Sequence, residues 1–172
     1  MIKKFCILFA GMVGSSKIPI VQFLSCNLGV PIFDNDAVMA ELIEDHMNFD
    51  VDQNEFAIKR DKRMYDLLTS EYSFVFASSI DGRWEYLKQI LIENDYNIFI
   101  ISIDLSRTFF EKLYIAKGYA DSTERITLLY EQHEEFLKHF NNDISLHIKD
   151  EEFSDRLELS LEKVKDWVHF PK

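Results

Sequence analysis

Short, unbroken apolar runs alternate along this chain with longer stretches of helical periodicity. That alternation limits the folds open to it more than any other feature. Phe5-Cys6-Ile7-Leu8-Phe9-Ala10 is apolar at every position, the pattern of a strand buried on both faces. Further strands are expected at Val30–Phe33, Phe74–Phe76, Asn97–Ile103 and Ile144–Ile148. Helical spacing covers Ser16–Leu28, Asp36–His46, Gln53–Leu68, Gly82–Glu93, Ser106–Lys117 and Ser122–Phe140, and a last helix sets Phe153, Leu157, Leu161, Val164 and Val168 on one stripe. Pro19 is compatible with the first helix because it falls in the first turn, and Gly29 suits the C-terminal cap. Strand and helix in alternation imply right-handed crossovers. The expected fold class is therefore α/β: a five-stranded parallel sheet with helices on both faces, a three-layer sandwich. Ligands of such sheets bind beyond the carboxyl ends of the strands.

The chain has 172 residues, the length of one domain, and 47% of them are hydrophobic, enough for a sizeable core. Lys and Arg number 19 against 30 Asp and Glu, so the net charge is 19 − 30 = −11. A surface this acidic repels nucleic-acid backbones and anionic membranes, and neither is expected as a partner. Phosphate compounds need a place where the local field is reversed. Cys6 and Cys26 form no CxxC pair or metal-ligand spacing, so a reducing cytoplasm is expected. The basic, then apolar N-terminus is broken by Gly11, Gly14 and Lys17, with no A-x-A site after it. No run approaches the roughly 18 apolar residues of a membrane span.

The segment Gly11-Met12-Val13-Gly14-Ser15-Ser16-Lys17-Ile18 follows the first strand and opens the first helix. Phosphate-cradling loops read G-x-x-x-x-G-K-[ST] in that context. Gly11 and Lys17 keep the spacing. Backbone N–H groups from Val13 to Lys17 are then placed at a helix N-terminus, where the partial positive charge favours anions, and Lys17 adds a full charge. Two positions depart from the pattern. Ser16 stands where the backbone usually needs glycine freedom, and Ile18 replaces the hydroxyl that ligates Mg2+.

These residues resemble the P-loop small-molecule kinases of the zeta-toxin-like type, whose loop often reads G-x-x-G-S-G-K-S. The resemblance implies a nucleotide-kinase-like sheet, ATP (or another nucleoside triphosphate) as donor, Mg2+, and transfer of the γ-phosphoryl group to a small acceptor. Gly11, Val13, Gly14, Ser15, Ser16, Lys17 and Ile18 would hold the nucleotide phosphates. The family's acid after the second strand falls in Pro31-Ile32-Phe33-Asp34-Asn35-Asp36, which puts Asp36 first and Asp34 second as general base. An N-cap is the competing duty of Asp34, Asn35 or Asp36. The family's metal-holding acid at the end of the third strand falls on Ala77; Ser78, Ser79, Asp81 and Arg83 follow, and Arg83 joins Asp34 and Asp36 as an expected substrate contact. Asp104, ending the fourth strand, is expected to approach the metal or to cap the next helix. A basic lid is expected around residues 107–125, with Arg107, Lys117 and Arg125 at the phosphates.

Lys59, Arg60, Lys62 and Arg63 form the densest basic cluster, read as a solvated face before an acceptor-phosphate site. The five histidines are not expected to converge, and His133 is expected to pack, hydrogen-bonded, on an apolar helix stripe. H-E-x-x-H and G-x-S-x-G are both absent. A receiver domain needs acids at the first and third strand ends, where Ala10 and Ala77 stand. Two functions remain: an ATP-dependent kinase, favoured by Gly11, Gly14, Lys17 and Asp36, and a degenerate nucleotide-binding or interaction module, favoured by Ser16, Ile18 and Ala77.

Overall fold

The continuous apolar run of the first strand, β1 (Phe5–Ala10), serves two cores at once. Phe5, Ile7 and Phe9 face one cluster, while Cys6, Leu8 and Ala10 face another on the opposite side of the sheet. Side chains alternate across a strand, so a strand covered on both faces has no polar side to show. The structure, a computed structural model, describes residues 4–119 and 123–169.

The elements follow in the order α1 (Lys17–Leu28), β2 (Ile32–Phe33), α2 (Asn35–His46), α3 (Gln53–Thr69), β3 (Phe74–Ser79), α4 (Trp84–Glu93), β4 (Asn97–Ile103), α5 (Arg107–Ala116), α6 (Thr123–Phe140), a 3-10 turn (Asn141–Asp143), β5 (Leu146–Ile148) and α7 (Arg156–His169). The five strands form one sheet in the order β2-β3-β1-β4-β5, and every pairing is parallel. The expected fold class holds. Residues of α1, α5 and α7 pack on one face and those of α3 and α4 on the other, while α6 reaches both, with Ile126, Leu129 and Tyr130 on the first and Phe136 and Phe140 on the second. Phe9, Phe74, Phe76 and Phe110 are fully enclosed, each contributing about 1.5–3 kcal/mol of transfer free energy. Among the described residues no helix is long and apolar enough to cross a membrane.

Boundaries differ where polar residues continue an element. β3 runs on to Ser79 rather than stopping near Phe76. Its register against β1 shifts, with Ile7 opposite Val75 but Phe9 opposite Ser79, so extra residues of β3 bulge beside an unbroken β1. Ala77 therefore lies within the strand, and Ile80 closes the end by donating its N–H to the Phe9 carbonyl at 3.0 Å. β2 and β5 are shorter than expected, and the expected helix start at Ser122 lies outside the described residues. Gly29 ends α1 in the left-handed region (φ 66°), its N–H on the Ser25 carbonyl at 2.9 Å. The basic cluster of α3 is mostly paired: Lys59 bonds Glu41 and Asp45 of α2 at 2.8 and 2.9 Å, Arg63 also bonds Glu41, and Arg60 bonds Asp61 at 2.8 Å.

Candidate functional site

β1 delivers the chain to the switch point of the sheet, where β1 stands between β3 and β4. Gly11 leaves the strand at φ 130°, and a Cβ there would meet the Ser15 hydroxyl at 3.1 Å and the Ile103 carbonyl at 3.2 Å. Gly14 sits at φ 91° with the Tyr114 ring only 2.7 Å from where its Cβ would stand. Ser16 also lies in the left-handed region, at φ 72° and ψ 37°. Only glycine adopts that region without steric cost, so Ser16 holds strain at the position where the usual loop has glycine. Its hydroxyl does not cap α1.

Two lysines grip the loop through its carbonyls. Lys17 is 9% exposed, and its Nζ donates to the Gly11 and Met12 carbonyls at 2.7 Å each and to the Ser15 hydroxyl at 3.4 Å. Burial pulls its pKa down to about 8, with Asp81 opposing and Lys117 reinforcing. Lys117, at the end of α5, donates to the Gly14 carbonyl at 2.7 Å; desolvation, then the charge of Arg156, lowers its pKa. The amides are left over. Gly11 N–H is taken by Asp81 at 3.0 Å and Ser15 N–H by the Met12 carbonyl at 3.1 Å. Among the described residues no acceptor takes the N–H of Val13, Gly14, Ser16, Lys17 or Ile18. Unpaired amides beside a lysine at a helix N-terminus suit an anion.

A cleft of about 460 Å³ opens over this loop, lined by Gly14, Ser16, Lys17, Lys117 and Tyr119 on one side and Asp36, Ser78 and Ser79 on the other. The competing duties of the acids after β2 separate here. α2 begins at Asn35, so Asp34 is its N-cap, accepting the Asp36 N–H at 2.9 Å. Asp36 is thereby free of capping, and its carboxylate carries no hydrogen bond from a described residue. Of the three lid cations, Lys117 reaches the loop. Arg107 is turned to Glu111 at 3.0 Å and Thr127 at 2.9 Å, and Arg125 is exposed on α6. Residues 120–122 of the expected lid lie outside the described residues. Arg83 stands at the start of α4, away from the loop cleft, on a second cavity.

Asp104 is not the cap of α5. Ser106 fills that place, accepting the Phe109 N–H at 3.2 Å. Asp104 instead shares His133 with Asp81: His133 Nδ1 lies 2.7 Å from Asp81 and Nε2 2.9 Å from Asp104, while His147 Nδ1 bonds the other Asp104 oxygen. Two of the five histidines thus do meet, against expectation. Burial opposes a charge on His133, but Asp104 and then Asp81 outweigh it and raise its pKa to about 9. Burial likewise raises both carboxyls, and the bonds and charge of His133 reverse this, leaving both below their ordinary value. A signal existed in the sequence: a polar residue on the apolar face of α6 requires buried partners, and the acids past β3 and β4 were within reach.

The donor set can be weighed against the expected ligands. The free amides, Lys17 and Lys117 fit a triphosphate. The usual Mg2+ ligands do not fit: the Ile18 side chain carries no oxygen, Asp81 is committed to His133 and the Gly11 amide, and Asp104 to His133 and His147.

No family model matches the sequence, and no curated protein matches it. Solved structures do. A gluconokinase from Sinorhizobium meliloti superposes with a TM-score of 0.64 at 12% identity, over 98% of this chain and 96% of that one. A shikimate kinase from Aquifex aeolicus gives 0.56 at 17% identity, over 94% and 98%. The APS kinase of Mycobacterium tuberculosis, solved in complex with AMPPNP and APS, gives 0.59 at 12% identity, over 96% and 99%. This chain has the P-loop kinase fold. Within that fold the loop Gly11–Lys17 takes the place between β1 and α1 that its sequence implied.

Proposed function

We propose that this P-loop kinase-like chain binds ATP and transfers its terminal phosphoryl group to a hydroxyl of a small metabolite or nucleoside. The observation that carries the reading is the set of unpaired amides of Val13, Gly14, Ser16, Lys17 and Ile18 beside a buried lysine. ATP supplies the reactive phosphoryl group. The free loop amides of Val13, Gly14, Ser16, Lys17 and Ile18 hold phosphate oxygens, and Lys17 exchanges carbonyl partners for them. Lys117 stands at the rim to neutralise charge, and Arg107 on α5 and Arg125 on α6 are the further cations of the expected lid. Asp36 orients the acceptor hydroxyl and takes its proton as that oxygen bonds the phosphorus. The phosphorus–bridging oxygen bond breaks and its electron pair leaves on ADP. Asp34 supports this by taking over the capping of α2.

A second reading rests on the misfit of the Mg2+ ligands. A chain that holds nucleotide without transferring phosphate would keep the amides and Lys17 and dispense with a metal-ligating oxygen at position 18.

Titration calorimetry with ATP, with and without Mg2+, on wild type and Lys17→Ala tests the binding. Lys17→Ala is expected to weaken affinity about tenfold, the loss of one charge-assisted contact. Equal affinity in the two proteins removes the loop from the argument. Phosphoryl transfer across a panel of hydroxylated metabolites then divides the two readings, transfer lost in Asp36→Asn favouring the first.

A further inference from the structure

The root of the phosphate loop is a glycine, the residue with the greatest backbone freedom. Gly11 has no side chain to fix its orientation at φ 130°. It is held from outside, at both ends of the residue. Its N–H donates to Asp81 Oδ1 at 3.0 Å, and its carbonyl accepts from Lys17 Nζ at 2.7 Å. Asp81 lies just beyond β3, and it is not among the residues that line the loop cleft. An acid behind a phosphate loop repels the ligand, so its place there needs a reason other than contact.

Asp81 is itself held in one orientation. Its Oδ1 accepts the Ser79 hydroxyl at 2.8 Å as well as the Gly11 N–H, and its Oδ2 faces His133 Nδ1 at 2.7 Å. His133 Nε2 faces Asp104 Oδ1 at 2.9 Å. Ionised carboxylates only accept, so both ring nitrogens carry protons and His133 is an imidazolium bridging two acids. The ring is 3% exposed, too enclosed for water to take over either bond. The oxygen that Asp81 gives to His133 thus fixes which oxygen it turns to Gly11.

We propose that Asp81 and His133 are positioning residues for the phosphate loop: His133 orients Asp81, and Asp81 so oriented braces Gly11 and brings its negative charge to bear on Lys17. The charged groups around this chain are few. Lys17 meets the charges of Asp81 and of Lys117 on α5. His133 on α6 meets Asp81 and Asp104, and His147 of β5 stands beyond Asp104. That the braced loop serves a nucleotide rests on the kinase reading; the bracing does not.

Paired variants of the full chain separate bracing from simple packing. Asp81→Ala removes the grip on Gly11 and is expected to weaken ATP about fivefold at pH 6.5, by calorimetry. Asp81→Asn keeps an oxygen for Gly11 and is expected to recover most of that loss. In the same variant the pH above which ATP affinity falls is expected to move down by about half a unit, because the charge that favours the Lys17 ammonium is gone. At His133 the two amides differ in reach. Asparagine sets its nitrogen where Nδ1 stood and still donates to Asp81; glutamine sets it where Nε2 stood and donates to Asp104 alone. His133→Asn is expected to keep most of the ATP affinity and His133→Gln to lose about threefold, although glutamine is nearer in size to histidine. Equal losses or the opposite order overturn the proposal, as does an Asp81→Ala that binds ATP like wild type or an Asp81→Asn whose pH dependence is unmoved. The Gly11 amide and the Lys17 ammonium are also followed by NMR without nucleotide. If wild type fails to bind ATP, yet the Gly11 resonance shifts in Asp81→Ala and the Lys17 titration moves down in Asp81→Asn, the nucleotide reading falls and the bracing stands. If ATP binds through Lys17 and neither signal moves, the reverse holds.

Discussion

Ser16 and Lys17 are neighbours under opposite constraints. Ser16 carries a left-handed backbone at φ 72°, which costs a residue with a Cβ about 1–2 kcal/mol, while glycine costs the unfolded chain about 0.4–1 kcal/mol of entropy. Ser16→Gly is therefore expected to raise stability by about 0.5 kcal/mol, read from urea midpoints; a loss of stability would refute the strain. Lys17 has its pKa near 8 because it is buried, so it is largely charged at pH 7 and loses its proton through pH 8. ATP affinity is expected to fall as pH rises past 8 and to level off near the roughly tenfold loss of Lys17→Ala, with net proton uptake on binding at pH 8. Buffers of different ionisation enthalpy reveal that uptake, and none should occur in Lys17→Ala. The spacing of Gly11 and Lys17 made this pair legible in the sequence. The division of labour between Asp34 and Asp36 was not, because either acid could cap a helix whose start differed by two residues.

At the scale of elements, α5 is fastened to the loop twice. Tyr114 packs on Gly14, and Lys117 holds the Gly14 carbonyl. Gly14→Ala meets both a positive φ of 91° and a ring 2.7 Å away, and is expected to cost about 2–3 kcal/mol in urea unfolding and to weaken ATP severalfold. If Gly14→Ala binds and unfolds like wild type, α5 does not set the loop. β1, wholly apolar, and β4, apolar but for Asn97 and Ser102, have the ends that the sequence implies, because burial on both faces leaves a nearly continuous pattern. β3 was read short because Ser78 and Ser79 extend it with polar side chains, and a register shift leaves no trace in hydrophobic periodicity. The metal-holding acid was consequently sought at Ala77, while Asp81, beyond the true end, binds Gly11 and His133.

Across the whole molecule, His133 joins the ends of three strands. It is held by Asp81 after β3 and by Asp104 after β4, and through Asp104 to His147 of β5. Its pKa is about 9 in the fold, above its ordinary 6.5. The stability it confers is fully present below pH 6.5 and lost as pH rises through 9, on the order of 3 kcal/mol. Asp81 and Asp104 lie below their ordinary values, so their contribution is present above pH 4 and lost on further acidification. Urea unfolding is expected to show greatest stability between about pH 4 and 6.5 and a decline towards pH 9. His133→Gln should flatten that decline, and an unchanged slope would refute the assignment. The acids and the histidine were each visible in the sequence, but they lie far apart in it and only the sheet order brings them together. The tether of Lys17 to the carbonyls of Gly11 and Met12 has a kinetic corollary. The loop backbone is braced by its own ammonium, so an incoming anion has only that side chain to turn, and capture should run close to the pace of diffusion rather than of chain rearrangement.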